Sequence, residues 1–196
     1  TGGKRLRELA MSTLSNAVLG APRRSILREL SDQVGETCNL TVLDSDRILY
    51  LDRVETNWPY RIHLPVGSHL PLHCTATGKL FLASMKPPAR RRVLGSLTLT
   101  RYTELTITDR EELEVQLAKI AAEGVGYDTG EYLDGMVAIA VPVIGEDSQV
   151  CFAIAIHAPS ARKSVAELRQ YLPTLRHAAA RLAASECSDR DAEDAA

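Results

Sequence analysis

Two nearly continuous apolar runs, Val137 to Val143 and Val150 to Ile156, stand either side of a polar turn from Gly145 to Gln149. Runs of this length, rich in β-branched residues and separated by turn chemistry, read as a hairpin. Side chains alternate faces along a strand. With the turn centred between Glu146 and Asp147, Ala138 lies opposite Ala155, Ala140 opposite Ala153, and Met136 opposite His157. One face then carries Val137, Ile139, Val141, Phe152, Ile154 and Ile156, which fill a core. The other carries Ala138, Ala140, Ala153, Ala155, Cys151 and His157. Such a methyl-lined face either lets a helix approach closely or borders a ligand cavity, of about 300–1,000 Å³ for a small molecule.

The rest of the chain supplies further strands and the helices to cover them. Leu6, Leu9, Ala10, Thr13, Leu14, Ala17 and Val18 recur at helical spacing, and Gly20 and Pro22 end that first helix. A second helix runs from Pro22 to Val34, burying Ile26, Leu27 and Leu30. From Thr37 the pattern becomes β-type: Leu40 and Val42, then Ile48 to Val54 after the turn residues Asp44-Ser-Asp46, then Trp58 to Leu64. Pro87-Pro88 opens a short helix. Thr108 to Glu111 reads as a capping box for a helix ending at Gly124. Val165, Leu168, Leu172, Leu175, Ala179 and Leu182 stripe a last helix with a kink expected at Pro173, and a charged tail, 186–196, is expected to be disordered. Helices before and after antiparallel strands imply an α+β sheet with helices packed on it.

Composition removes several function classes. A net charge of −2, with basic residues confined to short clusters such as Arg23-Arg24 and Arg90 to Arg92, offers no phosphate track, so this fragment should bind DNA poorly. No run of about 18 apolar residues is present, so no membrane span is expected, and no secretory signal is visible, which fits a cytoplasmic protein. The four cysteines show no Cys-x-x-Cys spacing, so neither a metal site nor a cofactor is expected. His63, His69 and His73 fit no standard metal spacing either. The chain begins at Thr1-Gly-Gly rather than Met, which points to an upstream segment.

The segment Leu70-Pro-Leu-His-Cys-Thr-Ala-Thr-Gly-Lys79, followed by Leu80-Phe-Leu-Ala83, turns from a Pro-bounded extended stretch into a short helix. Its first turn, Thr75, Ala76, Thr77 and Gly78, leaves backbone N–H groups that suit an anion or carboxylate. This wording, with Val66-Gly67 before it, resembles the effector-domain signature of the IclR family of bacterial transcriptional regulators. Gly124 to Glu131 with Gly135, Ala138 to Val143, and Ala153 to Pro159 extend the resemblance in order across most of the chain.

The resemblance implies a GAF-like fold, a curved antiparallel sheet enclosing a pocket. It also implies a linker helix (1–20) from a missing DNA-binding domain, an effector-binding domain (21–185), and assembly as a homodimer or homotetramer. Family members hold small carboxylate or aromatic effectors. Carried over by position, the pocket includes Ile62, Thr75, Ala76, Thr77, Gly78, Asp128, Met136, Ala138, Ala155 and His157. Alanines cannot hydrogen-bond a compact carboxylate, so a larger or more apolar effector is expected, such as an aromatic or related carboxylic acid. His157 would supply one directional hydrogen bond, and charge if protonated. Lys79 reads as a solvent-facing helix lysine, and Asp128 and Glu131 either position ligand or make an Asx turn. The rival reading is a cysteine-dependent hydrolase with Cys74 as nucleophile and His157 or His73 as base, but no oxyanion motif accompanies it. The expectation is therefore a sensor rather than an enzyme.

Overall fold

The computed structural model describes residues 20–56, 64–145 and 148–193, with side chains through residue 185. The expected linker helix, the expected strand from Trp58 to Leu64 except its last residue, which is not in a strand, and the candidate residues Ile62 and His63 lie outside the described residues. Helix α1 (Ala21–Val34) has Pro22 in its first turn and Gly35 as a left-handed C-cap. Strands β1 (Thr37–Asp44) and β2 (Arg47–Val54) follow, then a short β3 (His69–Pro71). Helices α2 (Ala76–Ser84) and α3 (Pro87–Ser96) precede α4 (Arg110–Glu123). Strands β4 (Gly126–Asp128), β5 (Met136–Ile144) and β6 (Val150–Pro159) lead to α5 (Val165–Leu168), a 3-10 turn and α6 (Leu172–Glu193).

All six strands join one curved antiparallel sheet in the order β3-β2-β1-β6-β5-β4, so the fold is α+β as expected. The β5–β6 register is offset by two from the symmetric turn: Ala138 faces His157, Ala140 faces Ala155 and Met136 faces Pro159. A two-residue offset preserves every side chain's face, because the strand period is two. Half of the offset comes from the turn, where the Gly145 amide donates to the Gln149 carbonyl, and half from a bulge at the hairpin end, where Val143 pairs Phe152 but Ile144 pairs Val150. The extra residue, Cys151, leaves the alanine face and packs against the opposite cluster.

Two cores flank the sheet. On one side the large face of β5 and β6 packs against Ile26, Leu27 and Leu30 of α1 and Leu175, Ala179 and Leu182 of α6. The apolar stripes of both terminal helices are consumed there. On the other side Ala138, Ala140, Ala153 and Ala155 receive Ala76, Leu80 and Phe81 of α2, backed by Leu113, Leu117 and Ile120 of α4. Close helix approach is therefore what the alanine face does over most of its area.

Local chemistry departs from expectation at three helix ends. The N-cap of α4 is Asp109, which accepts from the Glu111 and Glu112 amides, one residue later than the capping box expected at Thr108. A capping box does form at Ser164 and Glu167, opening α5. Pro173 does not kink a continuous helix: the chain passes through a 3-10 turn at Arg169–Tyr171 and restarts as α6, with the proline in its first turn where no amide is needed. That helix runs on through Glu193, past residue 186 where the sequence pattern predicts a disordered tail.

Docking of α2 leaves no room for a side chain at Gly126, where a Cβ would stand 2.1 Å from the Ala76 carbonyl oxygen and 3.0 Å from Leu80 Cβ. Gly126→Ala should therefore destabilise the fold by about 1–3 kcal/mol through overpacking. Gly95→Ala, in α3 with nothing within 4 Å, should be neutral or stabilising by up to about 1 kcal/mol. Urea denaturation of the two variants checks the contrast.

Candidate functional site

The first turn of α2 sits over the ends of β4, β5 and β6. Thr75 is its N-cap: the hydroxyl accepts from the Gly78 amide at 3.2 Å and donates to the Pro71 carbonyl at 2.8 Å. That cap occupies one of the helix N–H groups expected to be open to an anion. Gly78 has its own reason to lack a side chain, since a Cβ would meet the Leu72 carbonyl oxygen at 2.4 Å.

A cavity of about 20 Å³, the room of a single water molecule, is lined by Thr75, Asp128, Met136 and His157 together with Tyr50 and Arg53. Of the residues expected at the pocket, the structure brings these first four together. Ala76, Thr77 and Gly78 are buried in the body of α2, and Ala138 and Ala155 are covered by it, so none of the five lines the cavity. The hollow expected beneath the paired alanines is filled by the helix, and the space that remains is far below about 300 Å³. A larger cavity of about 280 Å³ opens at the β3 edge, lined by Arg47, His69, His73 and Tyr102, with Tyr132 shared between the two. Its histidines already have partners, His69 Nε2 hydrogen-bonded to the Asp44 carboxylate at 2.9 Å and His73 Nε2 to the Thr100 carbonyl at 3.0 Å. We take the smaller cavity as the candidate site because a helix cap, a buried carboxylate, an arginine and an imidazole converge there.

The electrostatics of the site come from burial. Asp128 Oδ1 accepts from the Gly130 and Glu131 amides at 2.9 and 2.7 Å, an Asx turn that shapes the loop after β4. Burial pushes its carboxyl up to about 6, against the opposing pull of Lys79 and of those amides. Lys79 is fully buried rather than solvent-facing: its ammonium pairs with Glu131 and lies 5.1 Å from the centre of the Tyr127 ring. Glu131 Oε2 has no partner, so the pair is incompletely satisfied. Burial, then the positive charge of Arg53, holds His157 down at about 3. His157 is thus neutral near pH 7 and offers a hydrogen bond, not a charge.

The thiol reading fails on the same physics. Burial, reinforced by the Asp128 and Glu131 carboxylates, drives the Cys74 thiol well above its ordinary range, and burial lowers His73. A thiol kept protonated is a poor nucleophile. Among the described residues no group of three or more His, Cys, Asp or Glu side chains is arranged to hold a metal, and no helix is long and apolar enough to cross a membrane.

Sequence reasoning missed Arg53 at the cavity and Asn39 beside it. A bulge in β2 opposite Leu40 and Thr41 carries Tyr50 and Arg53 onto one face, with the guanidinium 5.6 Å from the ring centre. Asn39, wholly buried in β1, pairs across the sheet with Arg53 on one side and Ala155 on the other. A polar Asn amid strand residues was the available signal.

The chain matches the family model described as bacterial transcriptional regulator IclR C-terminal over residues 11–184. It is 45% identical over 93% of its length to a protein of Cupriavidus necator that carries the name probable transcriptional regulator SauR, covering 73% of that protein. Among solved structures it resembles the C-terminal domain of Escherichia coli KdgR, with TM-score 0.76 and 31% identity, over 86% of this chain and 98% of that one. It also resembles an IclR homologue from Microbacterium hydrocarbonoxydans complexed with 4-hydroxybenzoate, with TM-score 0.76 and 27% identity, over 92% and 73% of the two chains. The chain spans between 51% and 73% of the curated relatives compared with it.

Two outcomes test the site's energetics. Lys79→Met should cost about 3–5 kcal/mol by stranding Glu131, and adding Glu131→Leu should recover much of it; urea denaturation measures both. Asp128 has a folded pKa of about 6 against an ordinary value of 3.8, so the folded state holds the extra proton between those values and its stability falls as pH rises through that window. Asp128→Asn, which keeps the Asx acceptor, should therefore gain up to about 3 kcal/mol on the wild type between pH 4 and 7.5. His157 acts with the opposite sign, removing stability as pH falls from 6.5 towards 3, and it is common to both proteins.

Proposed function

This chain belongs to the IclR family of bacterial transcriptional regulators, and on that footing we propose that it senses a small organic acid, aromatic or otherwise carboxylic, and passes the signal to a DNA-binding region elsewhere in the full-length protein. The observation that carries the reading is the convergence of Thr75, Asp128, Met136 and His157 on one cavity beside the α2 N-terminus. A cluster of this kind, with Thr75 and Asp128 buried, is costly unless it has a task, because polar groups removed from water need partners. The solved homologue holding 4-hydroxybenzoate supports the ligand class.

The cavity's small volume is the basis of the coupling. A space of about 20 Å³ cannot hold a benzoate-sized molecule, so ligand binds only a more open arrangement. A ligand that binds one arrangement shifts the population towards it. About 1–3 kcal/mol of coupling is enough to change operator affinity by the usual allosteric factors. Repression and activation differ only in which arrangement the DNA-binding region prefers.

Transmission requires assembly, for which a homodimer or homotetramer is the proposed form. With the stripes of α1 and α6 spent on the core, exposed apolar residues such as Val66, Leu105 and Val115 are the candidates to be covered. In a thermal-shift screen of aromatic and aliphatic carboxylic acids, a binding acid should raise the melting temperature by mass action. His157→Ala should weaken that shift, whereas Cys74→Ala should leave it in place. Unchanged binding in His157→Ala removes the proposed hydrogen bond, and a monomer by native mass spectrometry at micromolar concentration counts against the coupling.

A further inference from the structure

The geometry points to Arg53 and Asn39, neighbours across β2 and β1, as the seat of the effector's anionic group, an inference that rests on the sensor reading above. Directly opposed residues of antiparallel strands share a face. The row Arg53, Asn39, Ala155, Ala140, Gly126 therefore crosses five strands on the α2 side of the sheet. Its first two members are polar and its last three are small. Arg53 lines the cavity with Tyr50 and His157 while only 8% exposed.

A guanidinium keeps its charge at any physiological pH and presents five donors in a planar fork suited to a carboxylate. Glu55 engages its Nε at 3.1 Å. Three other polar groups of the cavity are unsuited to anchoring an anion. Asp128 is itself an acid, and Thr75 is spent on its helix cap and the Pro71 carbonyl. His157 carries no charge near pH 7.

Asn39 supplies the second observation. Its side chain is wholly buried, and neither Oδ1 nor Nδ2 has a hydrogen-bond partner. Buried amides are nearly always paired, because an unmet one forfeits its hydration. An orphan amide adjoining the arginine of a ligand cavity is what an unliganded anion site leaves behind. The ligand's carboxylate would accept a hydrogen bond from Nδ2 alongside the guanidinium bonds, with the body of the molecule lying towards His157 and Met136.

The test compares small carboxylates (benzoate, 3- and 4-hydroxybenzoate, phenylacetate, pyruvate) with their primary amides, using the 196-residue chain, thermal shift and calorimetry. At least one acid should bind and its amide should not. For that acid, Arg53→Gln should weaken binding about ten- to a hundredfold, as expected for a charge-assisted bond, and Arg53→Lys should weaken it less. Asn39→Leu should raise the melting temperature of the free protein while weakening the acid, two effects of opposite sign that a purely structural role would not produce. Equal binding of an acid and its amide, or full affinity in Arg53→Gln, overturns the anion seat and leaves the sensor reading standing. Full affinity in Asn39→Leu removes Asn39 from it. Should Arg53→Gln fail to fold by circular dichroism, the acid–amide pair and Arg53→Lys decide. If nothing in the panel binds the unsubstituted protein, the carboxylic-acid reading itself falls, and this inference with it.

Discussion

Close docking of α2 on the alanine face of β5 and β6 is the contact on which the rest of the domain depends. Four alanines and Gly126 bring the sheet near enough for the Ala76 carbonyl to sit against the β4 backbone. Gly78 lets the same helix lie against the Leu72 main chain. Interiors packed this densely have no spare volume. The helix therefore takes the space that a small-residue face might have left open, and what remains lies at its N-terminal end.

That end is where the polar groups gather. The cap at Thr75, the Asx turn at Asp128, the Lys79–Glu131 pair and the Arg53–Asn39 strip all stand close to α2 or on the sheet beneath it. Each removes charge or hydrogen-bonding capacity from water, and two of them, Glu131 Oε2 and the Asn39 amide, are incompletely compensated. The far side of the sheet is closed mainly by apolar packing from α1 and α6, with Arg23 of α1 also buried. Polar groups thus crowd the α2 end of the sheet, which is the arrangement expected where a ligand is to be recognised.

Much of this was legible from residue order. The two faces of the hairpin, the helix after Thr75, the helix from Pro22 and the glycine stop at Gly124 follow from period, capping and backbone freedom, all local properties. The offset register escaped because any even shift yields the same faces, so alternation carries no information about it. Cys151 was misassigned because a bulge interrupts the alternation on which its placement relied. The α4 cap slipped by one residue because Thr108 and Asp109 are both competent, and the choice depends on where the incoming chain leaves extended geometry.

The amino-acid sequence by itself determined the class of fold, the identity of the signature helix and which hairpin side chains share a face, because these depend on neighbours a few residues apart. Tertiary structure alone decided that Lys79 is buried against Glu131, that the alanines receive a helix, and that Arg53 and Asn39 stand side by side on the sheet. Those facts join residues far apart in the chain, or turn on a bulge in β2. Burial and dielectric environment, which set the charge of Asp128 and His157, exist only once the distant parts have packed.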